Sequence, residues 1–360
     1  MRSKTKKITG RCLIAGSLLV GVLVAGTIAY TPPITGAPEG ISSLEKVHIG
    51  GIEQWIMVRG RSTANPVLLF LHGGAGTAEM GLVRKHLAPL EEHFIIVEWD
   101  QRGAGKSCTG AARAAEFTID RFVEDTIELT GYLRDRFGQN RIYLIGHSWG
   151  SLLGMKAVQV GPEYYAAYIG TGQVSDFPRM EQAGYQYALE AAQTDCNEKA
   201  VQQLRDIGPP DSNGVYQSGF EGTAVERKWM TCYGGFAYGQ SSLIPMALEN
   251  LMVPEYNFTD IVRFVRGMTL EKKNRMMEEE VLKTNLFEEI PAVEVPVYFL
   301  LGRHDYNCPS IVAAEYFDHL EAPYKELVWF EHSAHSPCFE ESEKFCRIVI
   351  GLKEEQICVR

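Results

Sequence analysis

The 360-residue chain predicts an α/β architecture: a mostly parallel sheet flanked by helices and interrupted by one long helical insertion. Three observations carry this. Uninterrupted apolar runs recur at residues 67–71, 94–97, 142–145, 297–301 and 327–330, and continuous rather than alternating hydrophobicity marks strands buried on both faces. Helical spacing fills several of the intervals between them. Well over a hundred residues separate the strand read at Tyr165–Gly170 from the next sheet strand at about Pro296, roughly ten times an ordinary connection or more.

Residues 1–11 carry Arg2, Lys4, Lys6, Lys7 and Arg11 without an acid, and no charge follows from Cys12 to Tyr30. About nineteen residues at a helical rise of about 1.5 Å span roughly 28 Å, close to the hydrocarbon thickness of a bilayer. The segment 12–30 is therefore expected to be a single-pass anchor. The positive flank places the body outside the cytoplasm. A cleaved signal peptide, giving a secreted protein, is the competing reading, with small residues at Thr27-Ile28-Ala29. The Pro/Gly-rich stretch 31–43 reads as a linker.

The folded body is read as a core of residues 44–174 and 291–360 with a helical cap at 175–290. A hairpin near Val47–Val58, turning at Gly50-Gly51, opens it. Pro66–Leu71 is a strand that runs into His72-Gly73-Gly74-Ala75-Gly76. The strand Phe94–Trp99 runs into Asp100-Gln101-Arg102-Gly103-Ala104-Gly105-Lys106-Ser107, a tight loop whose expected work is structural, with Arg102 holding a carboxylate. Ile119, Phe122, Val123, Thr126, Ile127, Thr130, Leu133 and Phe137 keep helical spacing ahead of the next strand. In the cap, aromatic and methionine residues from Tyr185 to Met252 could line a pocket, although most are expected to be ordinary core.

Ile142–Ile145 then leads into Gly146-His147-Ser148-Trp149-Gly150 and a helical Ser151–Val158. Strand, sharp turn and helix with a serine at the turn form a nucleophile elbow, where small residues two before and two after the serine let the hydroxyl stand above the sheet. A capping serine on a Gly-rich turn would look the same locally. The decision rests on the partners.

A serine hydroxyl needs a histidine to take its proton and a carboxylate to hold that imidazole. In this chain order the acid precedes the histidine. Asp305 follows the strand Pro296–Leu301 in Gly302-Arg303-His304-Asp305, and His335 follows Leu327–Phe330 in Glu331-His332-Ser333-Ala334-His335. Ser148, Asp305 and His335 are the expected triad, with His332 in reserve for the base. The oxyanion is expected to meet the backbone N–H groups of Trp149 and Gly74, with Gly73 next in line.

On these motifs, together with Ser333-Ala334-His335-Ser336-Pro337, the chain resembles the α/β-hydrolases of the proline iminopeptidase group over about residues 45–350. The resemblance implies a serine hydrolase acting through an acyl-enzyme on amide or peptide bonds, without cofactor or metal. It departs from the family pattern at Ala75, where proline is usual, and at His147, where a second glycine is usual. The family's cap glutamate follows a tryptophan; here Glu226-Arg227-Lys228-Trp229-Met230 has none after Trp229. A carboxylesterase on small acyl esters is the alternative activity. A catalytically silent ligand-binding protein on the same scaffold is the alternative of a different class.

The formal net charge of −10 includes the basic tail, so the body is more acidic still and disfavours nucleic acid. No His-Glu-x-x-His or phosphate-loop motif is present. A small molecule or a peptide is the expected partner, and the sequence leaves the oligomeric state open. Of the eight cysteines, Cys308 and Cys338 each lie three residues beyond a predicted triad member, which makes a disulfide between them an expectation to test.

Overall fold

The computed structural model describes residues 28–270 and 280–358. Eight strands form one sheet: β1 (Ile41–Ile49), β2 (Ile52–Gly60), β3 (Val67–Leu71), β4 (Ile95–Asp100), β5 (Ile142–His147), β6 (Tyr165–Thr171), β7 (Val297–Gly302) and β8 (Lys325–Phe330). Their spatial order is β1-β2-β4-β3-β5-β6-β7-β8. The β1–β2 and β2–β4 pairs are antiparallel and every later pair is parallel. The opening hairpin is longer than the sequence reading gave it, because its outer residues only half bury and so lack a continuous apolar run.

Helices α1 (Met80–His86), α2 (Ile119–Phe137) and α3 (Trp149–Val160) precede the cap. The cap carries α4 (Phe177–Thr194), α5 (Glu198–Ile207), α6 (Phe220–Cys232), α7 (Ile244–Leu251) and α8 (Phe258–Met268), and α9 (Ser310–His319) and α10 (Ser342–Cys358) follow. Strand β3 shows why apolar residues run without a break. Val67, Leu69 and Leu71 join one core cluster with Phe122 and Leu133 of α2 and Leu152 of α3. Leu68 and Phe70 join another with Met80 and Val83 of α1 and Phe345 and Val349 of α10. Both faces of the sheet are thus covered, as period-two side-chain alternation under two helical layers requires.

Helix α2 begins at Thr118, whose side chain accepts the Arg121 N–H, and ends at Gly138 in the left-handed region at φ 62°. Near its start it carries Asp125. Arg102 binds that carboxylate through two nitrogens at 2.9 and 3.0 Å, the expected structural contact of the loop after β4. The same loop fastens the cap: Lys106 Nζ lies 2.5 Å from Asp260 Oδ2 of α8 and donates to the Glu255 carbonyl at 2.9 Å. Asn250 of α7 accepts the N–H groups of Gly81 and Leu82 and donates to the Ala78 carbonyl, so α7 is held on the first turn of α1.

The cap has its own core, in which Tyr185, Leu204, Tyr216, Trp229 and Met230 are buried together. Most aromatic residues singled out in this stretch serve that core.

Among the described residues no helix is long and apolar enough to cross a membrane. Residues 12–27 of the expected anchor lie outside the described residues. Ile28, Ala29 and Tyr30, its last three, are not helical, and the Tyr30 N–H donates to the Pro254 carbonyl at 3.0 Å. Nor is the stretch after them a loose linker at its start: Arg59 donates to Thr31 Oγ1 and to the Pro32 carbonyl, both at 2.6 Å.

Candidate active site

Gly146 and Gly150 are required at the elbow by space. A Cβ on Gly150 would stand 2.0 Å from the Leu71 carbonyl oxygen, and one on Gly146 would stand 2.5 Å from that of Gly150. Between them Ser148 adopts φ 55° and ψ −122°, a conformation that a side chain rarely takes. Its N–H donates to the Thr171 carbonyl of β6 at 3.0 Å. The Ser151 N–H and hydroxyl both donate to the Ser148 carbonyl, at 2.8 and 2.6 Å. These bonds fix the strained turn.

Asp305 and His335 arrive from the carboxyl ends of β7 and β8, and both are buried. His335 Nδ1–H donates to Asp305 Oδ2 at 3.0 Å. The other oxygen, Oδ1, accepts the Asn307 and Cys308 N–H groups at 2.9 Å each, so the carboxylate is held on both sides. This tautomer leaves His335 Nε2 as an acceptor, and Asn307 Nδ2 lies 3.2 Å from it. Ser148, Asn307, Cys308 and His335 all face one cavity of about 680 Å³. His332, the reserve base, is exposed. Its N–H donates to Glu341, away from these groups.

Gly73, Gly74 and Trp149 line the same cavity. The Gly73 N–H donates to Glu79 Oε2 at 3.2 Å, which favours Gly74 over Gly73 as the oxyanion donor. Glu79 also accepts from His147 Nδ1, 2.9 Å from both carboxylate oxygens. His147 Nε2 lies 3.2 Å from the His335 carbonyl and 3.2 Å from Ser336 Oγ. Burial works against charge on both partners. For His147 the Glu79 charge and hydrogen bond and the His335 carbonyl outweigh it and raise its pKa; for Glu79 the His147 contacts lower its own. A buried ion pair thus joins the loop after β3, the elbow and the loop after β8. The sequence marked His147 only as a departure from a family pattern and did not mark Glu79, which lies 68 positions away.

The cap contributes a second charged group. The Arg227 guanidinium of α6 contacts the carboxylates of Glu181 on α4 and Glu226 on α6, and Glu181 and Arg227 line the cavity. Glu181 Oε2, Glu226 Oε1 and the Tyr216 hydroxyl are buried without a hydrogen-bond partner among the described residues. Burial first, and the Glu181 charge second, push the Glu226 carboxyl up to about 7 against the pull of Arg227. Otherwise the lining is largely apolar, with Met180, Phe220 and Phe264 among its residues.

The expected disulfide does not form. Cys308 and Cys338 are both free, buried thiols, because convergence of two loops does not by itself bring their Cβ atoms into bonding geometry. Among the described residues no group of three or more His, Cys, Asp or Glu side chains could hold a metal ion.

The α/β-hydrolase fold family model matches residues 66–342, which spans the whole sheet after the hairpin, the cap and both partner loops. The chain belongs to that family. A probable aminopeptidase of Bacillus subtilis, YbaC, is 33% identical over 307 residues, covering 85% of this chain and 95% of the relative. A proline iminopeptidase of Clostridium botulinum is 27% identical over 286 residues, covering 78% and 87% of the two chains. The crystal structure of the Mycobacterium smegmatis proline iminopeptidase superposes with a TM-score of 0.63 at 18% identity, covering 88% of this chain and all of that one. This α/β-hydrolase is an enzyme of the hydrolase class.

Proposed function

We propose that this hydrolase cleaves amide or peptide bonds next to a free amine, using Ser148, His335 and Asp305. The observation that carries the reading is the buried Asp305–His335 pair facing the cavity into which the Ser148 elbow projects. Ser148 Oγ attacks the carbonyl carbon while its proton passes to His335 Nε2, and Asp305 stabilises the imidazolium. The Gly74 and Trp149 amides receive the oxyanion. His335 then protonates the leaving amine, and water hydrolyses the acyl-enzyme by the same route in reverse.

The aminopeptidase reading draws on the curated relatives and on the cap. Two carboxylates share one guanidinium, and Glu181, the one that lines the cavity, keeps an oxygen without a hydrogen-bond partner among the described residues for a substrate ammonium. Small acyl esters are the second reading, favoured by the apolar remainder of the lining.

A fluorophosphonate probe tests the chemistry. Labelling of the native chain and not of Ser148→Ala is expected, with kcat at least about 10⁴-fold lower in the variant. Equal labelling of both would remove Ser148 from its role. Aminoacyl anilides against their N-acetylated forms test the amine: faster cleavage of the blocked forms would refute the aminopeptidase reading and leave the serine mechanism intact.

We infer further that residues 12–30 anchor the enzyme with its body outside the cytoplasm. The support is the uncharged stretch behind a basic tail. Release of the chain from membranes by alkaline carbonate, with an N-terminus found beyond residue 30, would instead identify a cleaved signal.

A further inference from the structure

The exposed large apolar side chains of the described residues are concentrated on one part of the cap. Ile244 and Leu248 of α7, Met252 after it, and Phe258, Val265 and Met268 of α8 are all exposed, with Met252 at 79% and Phe258 at 77%. The spacing is not random. Ile244, Leu248 and Met252 recur every four residues, and Phe258, Ile261, Val262 and Val265 follow the i, i+3, i+4, i+7 pattern of one helix face. Such a stripe ordinarily turns inward; here Phe258 and Val265 are exposed and Ile261 and Val262 are half-buried. Both helices reach one small core, where Leu251 of α7 packs against the cluster of Ala78, Ala104 and Phe264 of α8.

Charge on this stretch follows the same division. Its acids are withdrawn: Glu255 and Asp260 are buried, and Glu249 is paired with Lys85 and His86. The cation Arg266 is exposed, and Arg263, paired with Asp260 Oδ1 at 3.0 Å, is partly exposed.

The chain that precedes the body ends on this surface. Tyr30, the last residue of the uncharged stretch 12–30, is bonded to Pro254 in the connection between α7 and α8, and Thr31 and Pro32 are fastened by Arg59 immediately afterwards. Ile28 and Tyr30 are themselves exposed. Tyr30 thus ties the end of that stretch to the cap. If the stretch ahead of Ile28 enters a bilayer, the faces of α7 and α8 lie beside the point where the chain leaves it.

The active-site cavity opens at the same place. Val215, Phe220, Ala247 and Met268 are both solvent-exposed and part of its lining, so they form its rim.

We propose that α7 and α8 form a bilayer-docking face that sets the cavity rim against the lipid surface, so that the enzyme takes amphiphilic substrates directly from the membrane. Apolar side chains enter the acyl boundary, and Arg263 and Arg266 meet anionic headgroups. The proposal rests on the anchor reading given above and adds an orientation to it.

The test uses the full chain in phosphatidylcholine/phosphatidylglycerol vesicles with bromine-labelled acyl chains. Met252→Trp and Phe258→Trp place a reporter on the proposed face, and Ile311→Trp places one on α9, exposed but not part of it. Unchanged hydrolysis of a soluble ester verifies that each variant is folded. The expected result is loss of the added emission for Met252→Trp and Phe258→Trp but not for Ile311→Trp.

A chain that floats with the vesicles and shows no such loss, or equal loss at all three sites, overturns the docking face and leaves the anchor standing. A chain that does not float overturns both. A dimer in detergent that Phe258→Asp converts to monomer, with no quenching in vesicles, assigns the face to a second copy of the chain and also overturns the proposal.

Discussion

Glu79 and His147 show what one pair of residues contributes to this site. His147 has a raised pKa in the folded chain, so its stabilisation is complete below the ordinary value of 6.5 and is lost as pH rises through the raised one. Glu79 has a lowered pKa, so its stabilisation is complete above 4.5 and is lost as pH falls through the lowered one. The pair therefore supports the fold most fully between these ordinary values. Urea unfolding followed against pH is expected to show a flatter curve for His147→Gln and for Glu79→Gln than for the native chain. Glu226 has the opposite sign for an acid: its carboxyl is raised from 4.5 to about 7, so ionising it costs stability as pH rises across that interval. Glu226→Gln is expected to gain up to about 3 kcal/mol relative to the native chain at pH 8, and less or nothing at pH 4.5. Equal gains at both would show that its charge is not the cause.

At the scale of elements, the elbow is held by close contact as much as by hydrogen bonds. Gly150→Ala drives a Cβ into the Leu71 carbonyl, a backbone group that cannot rotate away. A loss of about 1–3 kcal/mol in urea unfolding is expected, with activity falling further than stability because the displaced strand-to-helix turn carries Ser148. Asp125→Ala leaves the Arg102 guanidinium buried without its carboxylate and is expected to cost about 3–5 kcal/mol by the same measurement. Much of this level was legible in the sequence. Strands β3, β4, β5 and β7 declare themselves by runs of buried apolar residues, and the proposed Ser148, Asp305 and His335 each follow a strand at its carboxyl end. Sequence alone hid what depends on distant pairing. Glu181 and Arg227 meet across 46 positions, and Glu79 sits in no motif, so neither carries a local signal. The disulfide expectation erred for the related reason that spacing along the chain does not fix Cβ direction.

Across the whole molecule, the cap supplies much of the lining of the cavity that Ser148 faces. Its apolar lining predicts that filling the cavity matters more for large substrates than for small ones. Met180→Trp is expected to lower kcat/KM for bulky aminoacyl or long acyl substrates by about tenfold or more, while hydrolysis of an acetyl ester changes little. Steady-state kinetics with a graded substrate series would check this, and a uniform loss would point to a damaged fold.

The arrangement of strands also governs when activity can begin. Ser148 follows β5, whereas Asp305 and His335 follow β7 and β8, on the far side of the whole cap. During synthesis the ribosome must complete nearly the entire polypeptide before the proposed alcohol acquires its acid and base. On the proposed mechanism, a nascent or prematurely terminated product that stops ahead of residue 305 is hydrolytically inert, so activity waits on completion of the chain.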